Sequence, residues 1–251
     1  MSIIKQRVDD IVIYELEADD FHRISNMQTI FTELMPQYAH YTSRLQRDIE
    51  HAGHTRSEVR HHVWLIEIKD KPVAMCAFEY IRSENVGLGM DIAVYPAYRS
   101  VRQHGRTLAA FILHEMVNQL SVDGMEAGHS DAVPMAGEVD NDRLLDRYIE
   151  YGFVPIPANY FEPPDVSGKS DMVIQGRIPF DAERQLQALG YHPMRLGFFP
   201  PHRTDFDTAD VGMWERLIRA FYVHHYHLAP QSLALQVAIA SLYPANTRSV
   251  A

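Results

Sequence analysis

A single cysteine, Cys76, stands in a chain of 251 residues. That excludes an internal disulfide and any cysteine-built zinc site. Its place inside the apolar stretch "VAMCAFEYIR" predicts a buried thiol unsuited to a covalent relay. No apolar run reaches the roughly 18 residues of a membrane span. The opening "MSIIKQRVDDIVIYELEADD" lacks an apolar core followed by a small-residue cleavage site. Together these absences predict a cytoplasmic protein that does not associate with membranes. Basic residues are outnumbered, 23 Lys and Arg against 33 Asp and Glu, for a formal charge of −10. This balance argues against general nucleic-acid binding, which needs a basic face, and leaves cationic or amine substrates open, most of the excess carboxylates being solvated surface. There is no internal repeat and no low-complexity segment. Histidines number 14, yet their spacing is not that of a metal site. His224 and His227 sit three apart with no carboxylate to complete a ligand set, and His54, His61 and His62 lack ligand spacing, so no metal is expected. "GLG" at 87–89 is too short for a dinucleotide fingerprint and precedes a strand rather than a helix.

What is present is a periodic, mixed pattern. "IVIYELE" (11–17) reads as a strand. Asp19 and Asp20 cap a helix to about Met35, with Phe21, Ile24, Met27, Ile30, Phe31 and Leu34 at helical spacing. Pro36 ends it, and 39–52 reads as a second helix stopped by Gly53. Three strands follow with short gaps, 61–69, 73–82 and 87–95, which argues for antiparallel pairing. A helix is expected from about Gln103 to Leu120, a weak strand over 124–133, a helix over 141–151, a strand beginning at 152, and a returning strand over 170–180. Beyond Phe180 the segment 181–207 shows little period. Amphipathic helices are expected over 211–227 and 231–242, with Trp214, Leu217, Ile218 and Phe221 as a packing stripe. The expected organisation is a catalytic domain over 1–180 and a C-terminal helical extension over 181–251. The extension is too small to build an independent core, so its stripe must cover the domain's substrate end or form a homodimer with a second copy.

The stretch "DIAVYPAYRSVRQHGRTLAAFIL" (91–113) concentrates Arg99, Arg102 and Arg106 in a turn that enters a helix. Unpaired amides and the macrodipole make a helix start a ready anion site, and guanidinium groups strengthen it for a phosphate-rich ligand.

This stretch, taken with the order of elements, resembles the GNAT superfamily of acyl-CoA-dependent N-acyltransferases over about residues 8–180. Val94, Pro96 and Arg99 match the family's V-x-P-x-x-R strand end. The following turn departs from R-G-x-G-x-G/A: it is one residue longer between Arg99 and Gly105, and Gly105 is its only glycine. Downstream, Asn141, Tyr148, Gly152 and Phe153 fall at the spacing of the family's N-x-x-A-x-x-x-Y-x-x-x-G-F, with Leu144 in place of the small residue. The resemblance implies an α+β GNAT fold, a mixed and mostly antiparallel sheet flanked by helices. It implies acetyl-CoA as co-substrate, with no metal. It places the pyrophosphate against Arg99, Ser100, Val101, Arg102, Gln103, His104, Gly105 and Arg106, and a coenzyme A contact at Asn141. It supplies carbonyl-holding amides from Ile92, Ala93 and Val94, and a proton for the leaving thiolate from Tyr148. "NYFEPPDVSGKSDMVIQGRI" (159–178) resembles a Y-x-Q-P loop of some members, with Glu162 where glutamine is common.

An amine must lose a proton before it attacks a thioester. Glu67, Glu79, Asp91 and His129 are the candidates to accept it, and Glu79 and Asp91 are set beside Tyr148 as candidate catalytic residues. Glu79 is expected to face outward on the surface rather than to be buried, and His129 is expected at a loop or strand end. The implied activity is direct transfer of acetyl to a small amine within a ternary complex, the acceptor pocket being formed by loops 35–60, 80–87 and 156–170. Two alternatives stay open. One is thioester chemistry without an amine, either decarboxylation or transfer to a carrier protein. The other is a degenerate domain that binds a ligand or partner without catalysis.

Overall fold

A computed structural model describes residues 3–52, 57–164 and 171–243. The chain divides into two compact units, Met1–Val133 and Pro134–Ala251. The first is a meander of antiparallel strands: β1 (Ile3–Val8), β2 (Ile11–Glu15), β3 (Val59–Ile68), β4 (Lys71–Ile81) and β5 (Val86–Val94), hydrogen-bonded in that order. The helices α1 (Phe21–Leu34) and α2 (Thr42–His51) are inserted between β2 and β3, joined by a short 3-10 turn at Pro36–Tyr41. Asp20 caps α1 by accepting the Arg23 amide, as the sequence predicts. Strand β1 has no counterpart in the sequence reading: Ile3 and Ile4 are exposed, so it lacks the buried alternation that marks a strand.

Alternation sends the residues of β3, β4 and β5 to two faces. Val63, Leu65, Met75, Ala77 and Ala93 pack with Met27, Ile30, Phe31, Leu45 and Ile49 of the first two helices. The opposite face meets α3 (Leu108–Glu126), where Leu120 lies so close beneath Gly87 that a Cβ there would collide with it. This face also carries a buried charged network. His62 bridges Glu15 (3.0 Å) and Asp123 (2.9 Å), Trp64 Nε1 donates to Glu15 (3.0 Å), and Arg60 pairs with Asp123 (2.5 Å) and Glu126 (2.7 Å). Burial works against a charge on His62, but the two carboxylates outweigh it and push its pKa up to about 9. The imidazolium is thus a structural cation between β2 and α3.

Between β5 and α3 the chain departs from expectation. A helix is expected from Gln103. Instead β6 (Arg102–Gln103) and β7 (Arg106–Thr107) form a tight hairpin, and α3 begins at Leu108. His104 and Gly105 at the hairpin tip have φ of 49° and 78°, the left-handed pair that a two-residue antiparallel turn requires. The residue that lengthens this turn is absorbed in the hairpin.

The second unit is built on β8 (Met135–Val139), β9 (Val154–Pro155), β10 (Tyr160–Glu162) and β11 (His192–Phe199). Strand β11 pairs antiparallel with all three of the others. Helix α4 (Asp142–Glu150) is capped by Asn141 and ends at Gly152, whose φ of 98° supplies the left-handed stop. The helices α5 (Ala182–Ala188), α6 (Val211–Arg219) and α7 (Leu233–Leu242) follow, α6 running on into a π-helical turn at Ala220–His225.

Three sequence expectations are corrected here. The strand expected over 124–133 lies later, as β8, because α3 runs on to Glu126. The expected strand 170–180 is irregular in its described part, with one bridge from Val173 to Ser232. The segment 181–251, expected as a helical extension, contributes β11, and the boundary between compact units falls at 133/134 rather than at 180/181. The class is α+β, with antiparallel ladders flanked by helices. Among the described residues no helix is long and apolar enough to cross a membrane.

Candidate active site

Two β-bulges assemble the polar centre of the first unit. The Lys69-Asp70 hairpin turn sets β3 against β4 with Ile68 opposite Lys71 and Glu67 opposite Pro72, but from Ile66 opposite Ala74 the register has moved by one. His61 therefore faces Glu79 and not Phe78. In the next hairpin Phe78 is opposite Gly89 while Ala77 is opposite Asp91, so Met90 is bulged out. Without that bulge Asp91 would oppose Cys76 on the other face. With it, Asp91, Glu79 and His61 share the face covered by α2, which adds Arg44 and Asp48.

The carboxylates here are enclosed. Glu79 and Asp91 are 6% and 8% exposed, so the expectation that Glu79 faces outward is overturned. Arg44 pairs with Asp91 through Nη2 and lies 3.8 Å by Nε from Asp48 Oδ2. Burial opposes the Arg44 charge, yet Asp91, Asp48 and Glu79 raise its pKa above the ordinary value. His61 Nδ1 lies 3.2 Å from Glu79 Oε1 and 3.5 Å from Asp48 Oδ1. Burial again opposes charge, and the same carboxylates hold the imidazole's pKa above its usual value. Of the other candidate bases, Glu67 is buried beside Arg23 at 3.3 Å, and His129 contacts the Arg82 carbonyl at 3.1 Å. Both have structural partners on other elements. Cys76 is fully buried and its thiol pKa is pushed well up by burial, then by Glu15 and Asp91, which removes it as a nucleophile.

The basic turn lies at the end of β5. Ile92 is half-buried, while Ala93 and Val94 are buried. Pro96–Tyr98 form a 3-10 turn, and Arg99 folds back so that its Nε donates to the Val94 carbonyl at 3.0 Å. Arg102 donates to the Gly105 carbonyl at 2.9 Å. Ser100, His104, Gly105 and the guanidinium residues Arg99, Arg102 and Arg106 are exposed, Val101 is half-buried, and Gln103 is buried, its amide donating to Asp9 at 3.1 Å. The helix start is more closed than the sequence suggests. The Leu108 amide donates to the Val101 carbonyl at 2.9 Å, and Thr107 Oγ1 accepts the Ala110 amide at 3.4 Å.

In the second unit, Asn141 Oδ1 accepts the Leu144 amide at 2.9 Å and its amide donates to Asp140. It therefore serves as a helix cap. Tyr148 is half-buried, its ring packed against Phe153 and Phe199 at centroid distances of 5.7 and 5.6 Å. Glu162 on β10 is half-buried. Burial, then Glu138 and Asp140, raise its pKa to about 7. Glu138 in turn accepts hydrogen bonds from Tyr160 and Tyr226.

Sequence reasoning did not find Arg44 and Asp48, nor the pairing of His61 with Glu79. The acidic and basic residues of α2 at 44 and 48 are i and i+4, an ordinary surface spacing, and only the bulged register turns them toward a site. Residues 53–56 and 165–170, which fall in two of the loops expected to shape an acceptor pocket, lie outside the described residues, as does His54.

No protein-family model matches the chain, and no curated protein matches it. Solved structures do align with it. A ribosomal-protein-S18-alanine N-acetyltransferase from Escherichia coli shares 13% identity at a TM-score of 0.45, covering 78% of this chain and 99% of its own. A putative acetyltransferase of the GNAT family from Desulfovibrio desulfuricans shares 13% at 0.47, covering 76% and 98%. An acetyltransferase from Streptococcus agalactiae shares 11% at 0.43, covering 77% and 99%. The chain is similar, in its sequence motifs, to the GNAT family to which one of these aligned proteins is assigned.

Proposed function

We propose that the chain is an acyl-CoA-dependent N-acyltransferase that moves acetyl from acetyl-CoA to a small amine by direct attack in a ternary complex. The observation that carries this reading is the basic turn between β5 and α3. On a chain of net charge −10, Arg99, Arg102 and Arg106 are all exposed ahead of a 19-residue helix. Exposed guanidinium groups at the positive end of a long helix suit the paired phosphates of coenzyme A.

In this reading the acceptor gives its proton to Glu79, since Asp91 is engaged by Arg44. The amine nitrogen bonds the thioester carbon, the carbon–sulfur bond breaks, and Tyr148 offers a proton to the departing thiolate. The amides of Ile92, Ala93 and Val94 are assigned to the carbonyl oxygen, and Asn141 to the coenzyme A arm. The buried carboxylates on the α2 face suit a cationic acceptor, and no metal is invoked for the transfer.

A second reading is favoured by one feature. The hairpin at 102–107 and the Thr107 cap occupy amides that a pyrophosphate would otherwise take, as in a domain that binds a ligand without turnover. Calorimetric titration with acetyl-CoA and with desulfo-CoA, followed by thiol release across a panel of amines, separates the two. Acyl transfer predicts binding of both nucleotides, release with at least one amine, and a Glu79→Gln enzyme about 10²-fold slower with unchanged affinity for desulfo-CoA. Binding without release supports the second reading. No binding of either nucleotide refutes both.

A further inference from the structure

The enclosed cluster on the α2 face contains three side chains able to ligate an ion, and the proposed acyl transfer uses only one of them, Glu79. Asp48 on α2, His61 on β3 and Glu79 on β4 turn one donor atom each toward a common point, all three within 4.8 Å of one another. Two ligands of a zinc-like ion at about 2.1 Å, seen at 90–110° from the ion, are about 3.0–3.4 Å apart. His61 Nδ1 lies 3.2 Å from Glu79 Oε1 and 3.5 Å from Asp48 Oδ1. The Asp48–Glu79 edge is the one a bound ion would draw in.

The second observation is the imidazole itself. His61 Nδ1 is shielded from solvent and held between two carboxylates, 3.2 Å from Glu79 Oε1 and 3.5 Å from Asp48 Oδ1. A shielded ring nitrogen aimed between two carboxylates has the placement of a metal ligand. Asp48 is oriented for this by Arg44: its Oδ2 faces the guanidinium at 3.8 Å, which leaves Oδ1 facing His61. Outer partners of that kind hold ligating carboxylates in place. All three ligands stand on regular elements of one compact unit, which fixes their spacing.

We propose that Asp48, His61 and Glu79 form a binding site for a divalent transition ion of the Zn2+ class. One imidazole and two carboxylates leave at least one coordination position for water or another ligand. A filled site takes the carboxylate of Glu79 as ligand, so ion binding and proton acceptance by Glu79 exclude one another, and Zn2+ opposes acyl transfer wherever Glu79 is the base. The site itself is independent of that reading and is tested without substrate.

The test uses the full chain stripped with chelator. Titration with ZnCl2 is expected to show one tight equivalent apart from weak binding by exposed histidines, with a rise in Tm. Asp48→Asn and His61→Gln should each lose that equivalent and the Tm rise, while His22→Gln, on an exposed position of α1, keeps both. Co2+ added to the wild-type chain should give the visible d–d bands of four- or five-coordinate cobalt, discharged by Zn2+. The Co2+ measurement decides the matter if a variant fails to fold. Absence of a tight equivalent, persistence of that equivalent in both variants, or octahedral Co2+ spectra alone would each overturn the proposal.

Discussion

Glu162 shows how a single side chain reports its surroundings. On β10 it sits with Glu138 and Asp140 nearby, and burial together with those charges lifts its pKa from 4.5 to about 7. The folded state therefore favours the neutral carboxyl. Its contribution to stability is fully present below pH 4.5, declines as pH rises, and is lost above about pH 7. A shift of that size corresponds to at most about 3.4 kcal/mol at 1.36 kcal/mol per pH unit, and solvent screening of a half-buried group reduces it to roughly 1–2 kcal/mol. Glu162→Gln removes the titration. The variant should gain about 1–2 kcal/mol on the wild type between pH 5 and pH 8, read from urea midpoints. An equal difference at both pH values would show that the carboxyl is ordinary. The sequence points to residue 162 only by resemblance to a Y-x-Q-P loop; the neighbours that raise its pKa come from the strand before α4.

The same limit applies to Glu79 and Asp91. Both are visible in the sequence as acids on strands, and strand alternation puts Asp91 with Ala93 and Tyr95. Which face they share is set by the bulges after Ile66 and at Met90. A bulge adds one residue to one strand and leaves the hydrophobic pattern nearly intact, so the sequence carries little trace of it. His61 opposite Glu79 is the direct consequence, and so is the whole cluster with Arg44 and Asp48.

At the scale of elements, regular pieces were legible and closures were not. Helices α1, α2, α4, α6 and α7 follow from caps, prolines and apolar spacing. The hairpin at 102–107 was hidden because "RQHGRT" reads equally as the first turn of the helix that follows; His104-Gly105 is the only sign of a left-handed turn. Strand β11 was hidden for a different reason. "HPMRLGFF" lacks alternation, since its last four residues are buried, and Gly197 at its centre reads as a breaker. The structure gives that glycine a purpose. It is opposite Gly137 on β8 and Pro155 on β9, and Phe153 lies across it: an added Cβ would meet Phe153 Cε1 at 2.4 Å and the Val154 carbonyl at 2.6 Å. Because one of these atoms is backbone, side-chain rotation cannot relieve the clash. Gly197→Ala should therefore cost about 1–3 kcal/mol, visible as a lowered urea midpoint. A neutral result would mean that β9 does not hold Phe153 against β11.

The whole molecule depends on that late strand more than a reading from the N-terminus suggests. Residues 1–180 carry every recognised motif, and a chain ending there looks complete in sequence. Yet β8, β9 and β10 each take their antiparallel partner from β11, and Tyr222 after α6 satisfies both the amide and the carbonyl of Phe161 at 3.0 and 2.9 Å. A chain cut after residue 183 would leave those strands with unpaired backbone groups and Tyr148 without Phe199. Each buried backbone group left without a partner costs about 1–3 kcal/mol, and several such losses exceed the 5–15 kcal/mol that holds a typical domain together. The truncated protein should lose cooperative unfolding in the second unit, expose apolar surface to dye, and aggregate. Amide exchange would locate the damage: protection should fall over Met135–Val139 and vanish over Tyr160–Glu162 while β3 and β4, whose ladders lie within the first unit, retain theirs. Full protection over β8 in the cut chain would show instead that the tail is an appendage and that β11 can be replaced.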